Sequence, residues 1–319
     1  MLHGQEIYLF FYRFGLNGIW GIIVCNIIMA IVIYKTLNII YMKNINDYKD
    51  FLSVIFDGNI KLINITNIII NIFLCATFFI MISGFGTYLS QAFNINQILG
   101  SCILAVISYA VFLRNIEGLA KINSIIIPIL ILVIAIIGIK NILNMNFENI
   151  SINKDTSIFW LVQAILYASY NLILVEPVLI NLKKMLKSKK QIIMTSVGVG
   201  INMFILTLLE FFLLTHLENL RTGEMPLITV IEHKFSNFTL IYGTIILIAI
   251  FTTATSLGIS FLNNICKNKK SFPQIAAILC ITSVIVSPIG FSNLVNNLFP
   301  LFGFLGLIEI FYCIKYKNR

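Results

Sequence analysis

Apolar residues run along this chain in blocks of about 20, the length a helix needs to cross a bilayer core about 30 Å thick. The blocks fall at 16–36, 66–90, 97–113, 121–143, 157–180, 191–215, 239–264, 272–290 and 298–315. They are continuous and lack the period-two alternation of a membrane barrel strand. The pattern predicts an all-α polytopic membrane protein with nine full spans. Two loops between the blocks keep a helical pattern of their own. Residues 44–57 place Tyr48, Phe51, Leu52 and Ile55 on one face and Asp47, Lys49 and Asp50 on the other, which predicts a short helix at the membrane surface. Residues 222–236 carry Pro226, which suits the first turn of a helix, so this loop is expected to be either an external lid or a long capped connection.

Composition agrees. Of 319 residues, 59% are hydrophobic and 11% charged, against roughly 45–50% and about 25% in soluble domains. The net charge of +9 would suggest nucleic acid in a soluble protein, but here the topology of the basic residues accounts for it. Alternate loops differ sharply. One set holds Lys35, Lys43, Lys49, Lys61, Arg114, Lys121, Lys183, Lys184, Lys187, Lys189, Lys190, Lys267, Lys269, Lys270, Lys315, Lys317 and Arg319. The other holds only Arg13, Lys140, Lys154, Arg221 and Lys234. By the positive-inside rule the C-terminus of this multi-pass protein is expected in the cytoplasm and residues 1–15 outside.

Polar groups inside the spans are costly and therefore the first places to look for function. Glu6, after Gly4 and Gln5, begins an apolar run; it is either the solvated start of an amphipathic helix or part of a site. In span 157–180, Ser169, Tyr170 and Asn171 are followed by Glu176 and Pro177. A proline removes a backbone donor, and asparagine competes for local backbone bonds, so this helix is expected to open near residues 173–174. The plainer reading is a proline kink with Tyr170 and Asn171 bonded to neighbouring helices. In span 239–264, Thr252, Thr253, Thr255 and Ser256 offer hydroxyl oxygens to a hard cation such as Na⁺, or else bond carbonyls of their own helix. Ser83-Gly84-Phe85-Gly86 reads first as close helix packing. Glu210 and Glu309 are further isolated acids, and Glu309 has no obvious partner in sequence.

The six cysteines form no CxxC pair, and His3, His216 and His233 are scattered, so no metal centre is predicted. There is no Walker A, HExxH or GxSxG string, and the chain is not expected to be an enzyme or to need an organic cofactor.

Four stretches carry a family likeness: GQEIYLFFYRFGLNGIWG at 4–21, MISGFGTYLSQAF at 81–93, INSIIIPILILVIAIIG at 122–138 and LYASYNLILVEPVLINL at 166–182. With them the chain resembles the YkvI-type bacterial membrane proteins, distant relatives of the amino acid–polyamine–organocation transporters. The resemblance implies a LeuT-like fold of two inverted five-helix repeats, the first within 1–143 and the second within 157–316. Span 157–180 becomes helix six, broken at Ser169–Asn171, and span 239–264 becomes helix eight. Gln5, Glu6, Ser169, Tyr170 and Asn171 are then expected at the substrate. Ala249, Thr252 and Thr253, or Thr252, Thr255 and Ser256, are expected at a coupling cation. Glu176 is the alternative proton carrier. The likeness also places Met1–His3 inside the break of helix one, so residues 4–14 are read as an outer half-helix and the inner half is expected to be absent from this chain. Restoring it would give an even number of helices and a cytoplasmic N-terminus. The expected function is a secondary transporter of a small organic solute, an amino acid or related compound, coupled to Na⁺ or H⁺. The alternatives are a ligand-sensing subunit of the germination-permease kind and a truncated, inactive transporter. Substrate, coupling ion and oligomeric state are left open.

Overall fold

The computed structural model describes residues 4–114, 119–143, 158–181, 183, 186, 188–216, 223–266 and 270–316; the side chains of 119–127, 178 and 181 lie outside that description. Helices form the described chain, and no strand occurs among the described residues. They are α1 (Gln5–Phe10), α2 (Leu16–Lys43), α3 (Tyr48–Ile55), α4 (Ile60–Phe93), α5 (Gln97–Arg114), α6 (Leu119–Leu143), α7 (Phe159–Asn181), α8 (Lys189–Leu214), α9 (Pro226–Lys234), α10 (Thr239–Ile265), α11 (Phe272–Val286) and α12 (Phe291–Lys315). Among the described residues, eight helices are long and apolar enough to cross a membrane. The ninth expected span corresponds to α6, whose described apolar part is Pro128–Leu143. The protein is therefore a multi-pass helical membrane protein. Exposed Val106, Leu132, Ile278, Ile281 and Ile285 are apolar surface that water would penalise and lipid accepts.

The spans are longer than their apolar blocks suggested. α2 has 28 residues and α4 has 34, about 42 and about 51 Å at 1.5 Å per residue, so both run beyond a hydrocarbon layer of about 30 Å. Their ends are set by local chemistry. Asn44 closes α2 in the left-handed conformation, which asparagine tolerates. Asp47 caps α3 by accepting from the Asp50 backbone N–H at 2.7 Å. Pro226 opens α9 at its first turn, as its position suggested.

The chain packs as two compact units, each drawing on both halves of the sequence. The first contains Met1–Leu9, Asn71–Ser151 and Leu209–Asn297. The second contains Phe10–Ile70, Ile152–Leu208 and Leu298–Arg319.

In the first unit α5 lies along α11, and α10 packs on α5 and α6. Gly86 and Gly100 make close approach of α4 and α5 possible: a Cβ on Gly100 would lie 2.8 Å from the Gly86 Cα, and one on Gly86 would collide with the Gln97 carbonyl and the Ser101 hydroxyl. The Ser-Gly-Phe-Gly string is thus a packing seam, in line with its plainer reading. A polar chain runs beside it. Gln97 Nε2 donates to the Ser287 carbonyl at 3.0 Å, to Thr87 Oγ1 at 3.2 Å and to Ser83 Oγ at 3.4 Å. Glu224, just before α9, accepts from Thr87 Oγ1 at 3.4 Å and from the Ser292 N–H at 3.3 Å, in the first turn of α12. A carboxylate there meets the positive end of the helix dipole. Gly290, with φ +92°, makes the turn into α12 with Glu224 pressed against it. The 223–236 segment is not a loose loop: Met225, Leu227, Ile228, Val230 and Ile231 are buried, and Thr229 accepts from Gln91 at 2.9 Å.

In the second unit α2 packs along α7. Gly303 and Gly306 of α12 face α7: a Cβ on Gly303 would stand 2.8 Å from the Leu166 carbonyl oxygen. α3 buries Phe51, Leu52 and Ile55 and exposes Lys49 and Asp50, the two faces its spacing predicted. Phe56, at its end, meets Tyr312 edge-to-face at 5.0 Å.

The close seam gives a direct test. Gly86→Ala should lower stability by about 1–3 kcal/mol, because its Cβ meets backbone that cannot turn away. Gly198→Ala on α8, where nothing lies within 4 Å, should be neutral or slightly stabilising. Thermal unfolding of the two purified variants in detergent decides; equal melting points would remove the seam from the account.

Candidate functional site

The sequence-predicted residues divide between the two units. Gln5, Glu6, Ala249, Thr252, Thr253, Thr255 and Ser256 belong to the first; Ser169, Tyr170, Asn171 and Glu176 belong to the second.

The first unit holds the start of the expected half-helix. It forms α1, followed by a 3-10 turn at Tyr12–Phe14 and a hinge at Gly15. Gln5 and Glu6 are both buried, so Glu6 is not the solvated start of an amphipathic helix. Gln5 Nε2 donates to Asn296 Oδ1 at 2.9 Å. Glu210 is also buried, within electrostatic reach of Glu6 and Tyr242. On α10 the hydroxyls take the plainer course. Thr252 Oγ1 donates to the Ala249 carbonyl at 3.1 Å; Thr255 Oγ1 donates to the carbonyls of Phe251 at 2.8 Å and Thr252 at 3.1 Å. Their lone pairs stay free to accept, but the protons are committed to the helix itself. Ala249, Thr252 and Thr255 are buried, Ser256 is half-buried and Thr253 is exposed, so the hydroxyls do not all share one face.

In the second unit the expected break does not occur. α7 is helical through Ser169–Asn171 and on to Asn181. Pro177 falls in its last turns, where the missing donor deprives only the carbonyl one turn back. Asn171 Nδ2 donates to the Tyr167 carbonyl at 2.8 Å, and Ser169 Oγ donates to the Gly303 carbonyl of α12 at 2.7 Å. The polar string fastens α7 to itself and to α12. Tyr170 is fully buried in an aromatic cluster, stacked on Phe299 at 4.7 Å, with Phe10 at 5.5 Å and Tyr167 at 5.4 Å.

One turn beyond, the same unit holds a site only half foreseen. Glu176 of α7 and Glu309 of α12 are each 1% exposed, and the two carboxyls lie within electrostatic reach of one another. Thr36 Oγ1 of α2 donates to Glu176 Oε1 at 3.1 Å and lies 3.6 Å from Cys313 Sγ. The Tyr48 hydroxyl of α3 donates to Glu309 Oε1. Oε2 of each glutamate is buried with no hydroxyl or amide donor. Tyr48 has a half-buried ring and an enclosed hydroxyl; burial first, and then the Glu309 and Glu176 carboxyls, push its phenol well above its ordinary value, which keeps it a donor. Glu309 was visible in the sequence only as an isolated acid. Its partners, Thr36, Tyr48 and Glu176, lie far away along the chain, and only the packing of α2, α3 and α7 against α12 collects them. Among the described residues no group of His, Cys, Asp and Glu has the make-up of a metal site.

The full-length pattern can be set beside known proteins. The chain is 26% identical over 324 residues to uncharacterized membrane protein YkvI of Bacillus subtilis (strain 168), an alignment covering 99% of this chain and 92% of that one. The chain is similar to the YkvI-type membrane proteins over nearly its whole length. A second relative, uncharacterized protein YyaD of the same strain, is 25% identical over 318 residues, 98% of this chain and 91% of its own. No protein-family model matches.

The aromatic cluster separates packing from chemistry at Tyr170. Tyr170→Ala should cost about 3–5 kcal/mol of stability, whereas Tyr170→Phe, which keeps the stacked ring, should cost about 1 kcal/mol. Denaturation of both variants in mixed micelles would show it; a mild alanine variant would mean the ring packs less than its burial implies.

Proposed function

We propose that this protein is a proton-coupled secondary transporter of a small organic solute, an amino acid or a related compound, in a bacterial cytoplasmic membrane with its C-terminus inside the cell. The observation that carries the reading is the pair of carboxyls, Glu176 and Glu309, buried together on two membrane-spanning helices. Ionisable groups in that position are expensive, and they mark ion and proton pathways. Between the two coupling ions foreseen, this pair favours H⁺. A carboxyl can take and release a proton by itself, whereas the α10 hydroxyls already donate to carbonyls of their own helix.

The order of helices supports the LeuT-like repeat. Taken from α1 to α6 and from α7 to α12, the two halves follow the same order: two helices, a short one outside the spans, then three more. α3 and α9 stand at the same place in each half. Such internal correspondence is the mark of inverted-repeat transporters, whose solute sites lie near the bilayer midplane. The reading from fold to transport is an analogy, which makes the assay decisive.

Purified full-length protein in proteoliposomes should take up a labelled amino acid when the outside is acidified, and a protonophore should abolish the uptake. Replacing Na⁺ with choline should change nothing. Glu176→Gln should remove the dependence on external pH. Saturable binding of the labelled amino acid without uptake would instead identify a ligand-sensing subunit, and Na⁺-driven uptake indifferent to pH would overturn the proton coupling.

A further inference from the structure

We propose that Glu176 and Glu309 form a single proton-binding unit, and that its occupancy latches the surface helix α3 onto the spans through Tyr48. Its role in coupling rests on the transporter reading above; the latch itself does not.

The argument begins with hydrogen counting. A carboxylate is purely an acceptor. Two carboxylates cannot hydrogen-bond to one another, so Glu176 and Glu309, buried within electrostatic reach of each other, can bond only when one of them carries a proton. Every other donor in the cluster is already assigned. Thr36 serves Glu176 Oε1 and Tyr48 serves Glu309 Oε1, while both Oε2 atoms are buried without a hydroxyl or amide. One proton shared between the two carboxyls completes this network, and water can supply it: a hydronium ion delivers its proton to one carboxylate, and the reverse step returns it.

The surroundings contain no substitute for that proton. α2 contributes Thr36 and, beside it, Lys35, whose Nζ is turned to the Ile314 carbonyl. α12 adds Cys313, whose nearest named partner is Thr36, with Lys35 in electrostatic range. α3 contributes Tyr48, and α7 only Glu176 itself. Among the described residues no lysine or arginine pairs with either carboxyl. Loss of the shared proton leaves two like charges in contact in an apolar setting, where one carboxylate is ordinarily held neutral.

The consequence reaches α3 because of how it is attached. α3 has eight residues, far too few to be stable alone in water. Its hold on the unit is the buried face of Phe51, Leu52 and Ile55 together with the Tyr48 hydroxyl on Glu309. When the proton leaves, the two carboxylates repel and separate. Glu309 moves or hydrates, and water competes for the bond that Tyr48 supplies. α3 then opens more often. Local opening of this kind is what amide exchange measures.

The test is amide hydrogen exchange of α3 in the full-length protein in lipid nanodiscs, corrected for intrinsic rates, from mildly acidic to mildly alkaline pH. Each unit by which the docked state holds the proton more tightly than the open state appears as about a tenfold change in protection. Wild type should therefore lose about tenfold or more of its α3 protection on the alkaline side. Glu176→Gln and Glu309→Gln supply an amide donor to the remaining carboxylate without a proton, and each should keep α3 protected with no pH dependence. Tyr48→Phe should exchange quickly at every pH. Its infrared spectrum should retain the protonated-carboxyl band that the double glutamine variant loses.

A flat wild-type profile, an unchanged carboxyl band in the double variant, or protection that follows Na⁺ at constant pH would each overturn the proposal. The two readings fail separately. Absent uptake with an intact latch removes the transporter, and proton-driven uptake with a pH-independent α3 removes the latch.

Discussion

A buried carboxylate cannot satisfy itself, and much of the second unit follows from that. A threonine or serine in an apolar helix turns its proton to a carbonyl three or four residues back and needs no other element. Thr252, Thr255, Ser196 and Thr77 all do so. A glutamate has only acceptors to offer. Its own helix carbonyls are acceptors too, and no free N–H lies within a turn of the helix interior. Glu176 and Glu309 must therefore draw donors from elsewhere, and the donors come from α2 and α3. The carboxyls act as fixed points to which separate elements are drawn.

In the first unit, beside its buried Glu6 and Glu210, a network of mostly neutral groups joins the helices. Gln97 bonds Ser287, Thr87 and Ser83 across α4, α5 and the turn before α12, and the one carboxyl involved, Glu224, meets a helix N-terminus instead of another acid. This works because α4 and α5 come close at Gly86 and Gly100. Without a hydrophobic force between helices in lipid, such close backbone approach and the polar bonds it permits are what association depends on.

What could be read in the sequence follows the range of the interaction. Eight of the nine expected spans, the faces of α3, the Pro226 start of α9 and the packing role of the Ser-Gly-Phe-Gly string depend on neighbours within a few turns, and the described residues agree with them. The break expected at Ser169–Asn171 failed for a local reason that was also legible. Pro177 lies near the helix end, and the asparagine amide can bond the Tyr167 carbonyl without opening the helix. Burial of Glu6 was not legible, because its neighbours come from remote segments. Nor was the partner of Glu309. Nothing in the residues around Glu309 distinguishes an acid awaiting a proton-sharing partner from an acid reaching water.

One asymmetry in the pair bears on how it could work. Thr36 and Tyr48 are not equivalent donors. Thr36 sits at 0% exposure within α2, an element that packs along α7, and its hydroxyl cannot leave without moving a spanning helix. Tyr48 belongs to a short helix outside the spans and keeps part of its ring at the surface. Any weakening of the cluster will therefore appear first on the Glu309 side, where the donor costs least to withdraw. In the proposed latch, water and protons would then reach the pair by way of Glu309, with Glu176 as the inner member held by Thr36. The distinction comes from which helix carries each hydroxyl, and it gives two chemically identical carboxyls different surroundings.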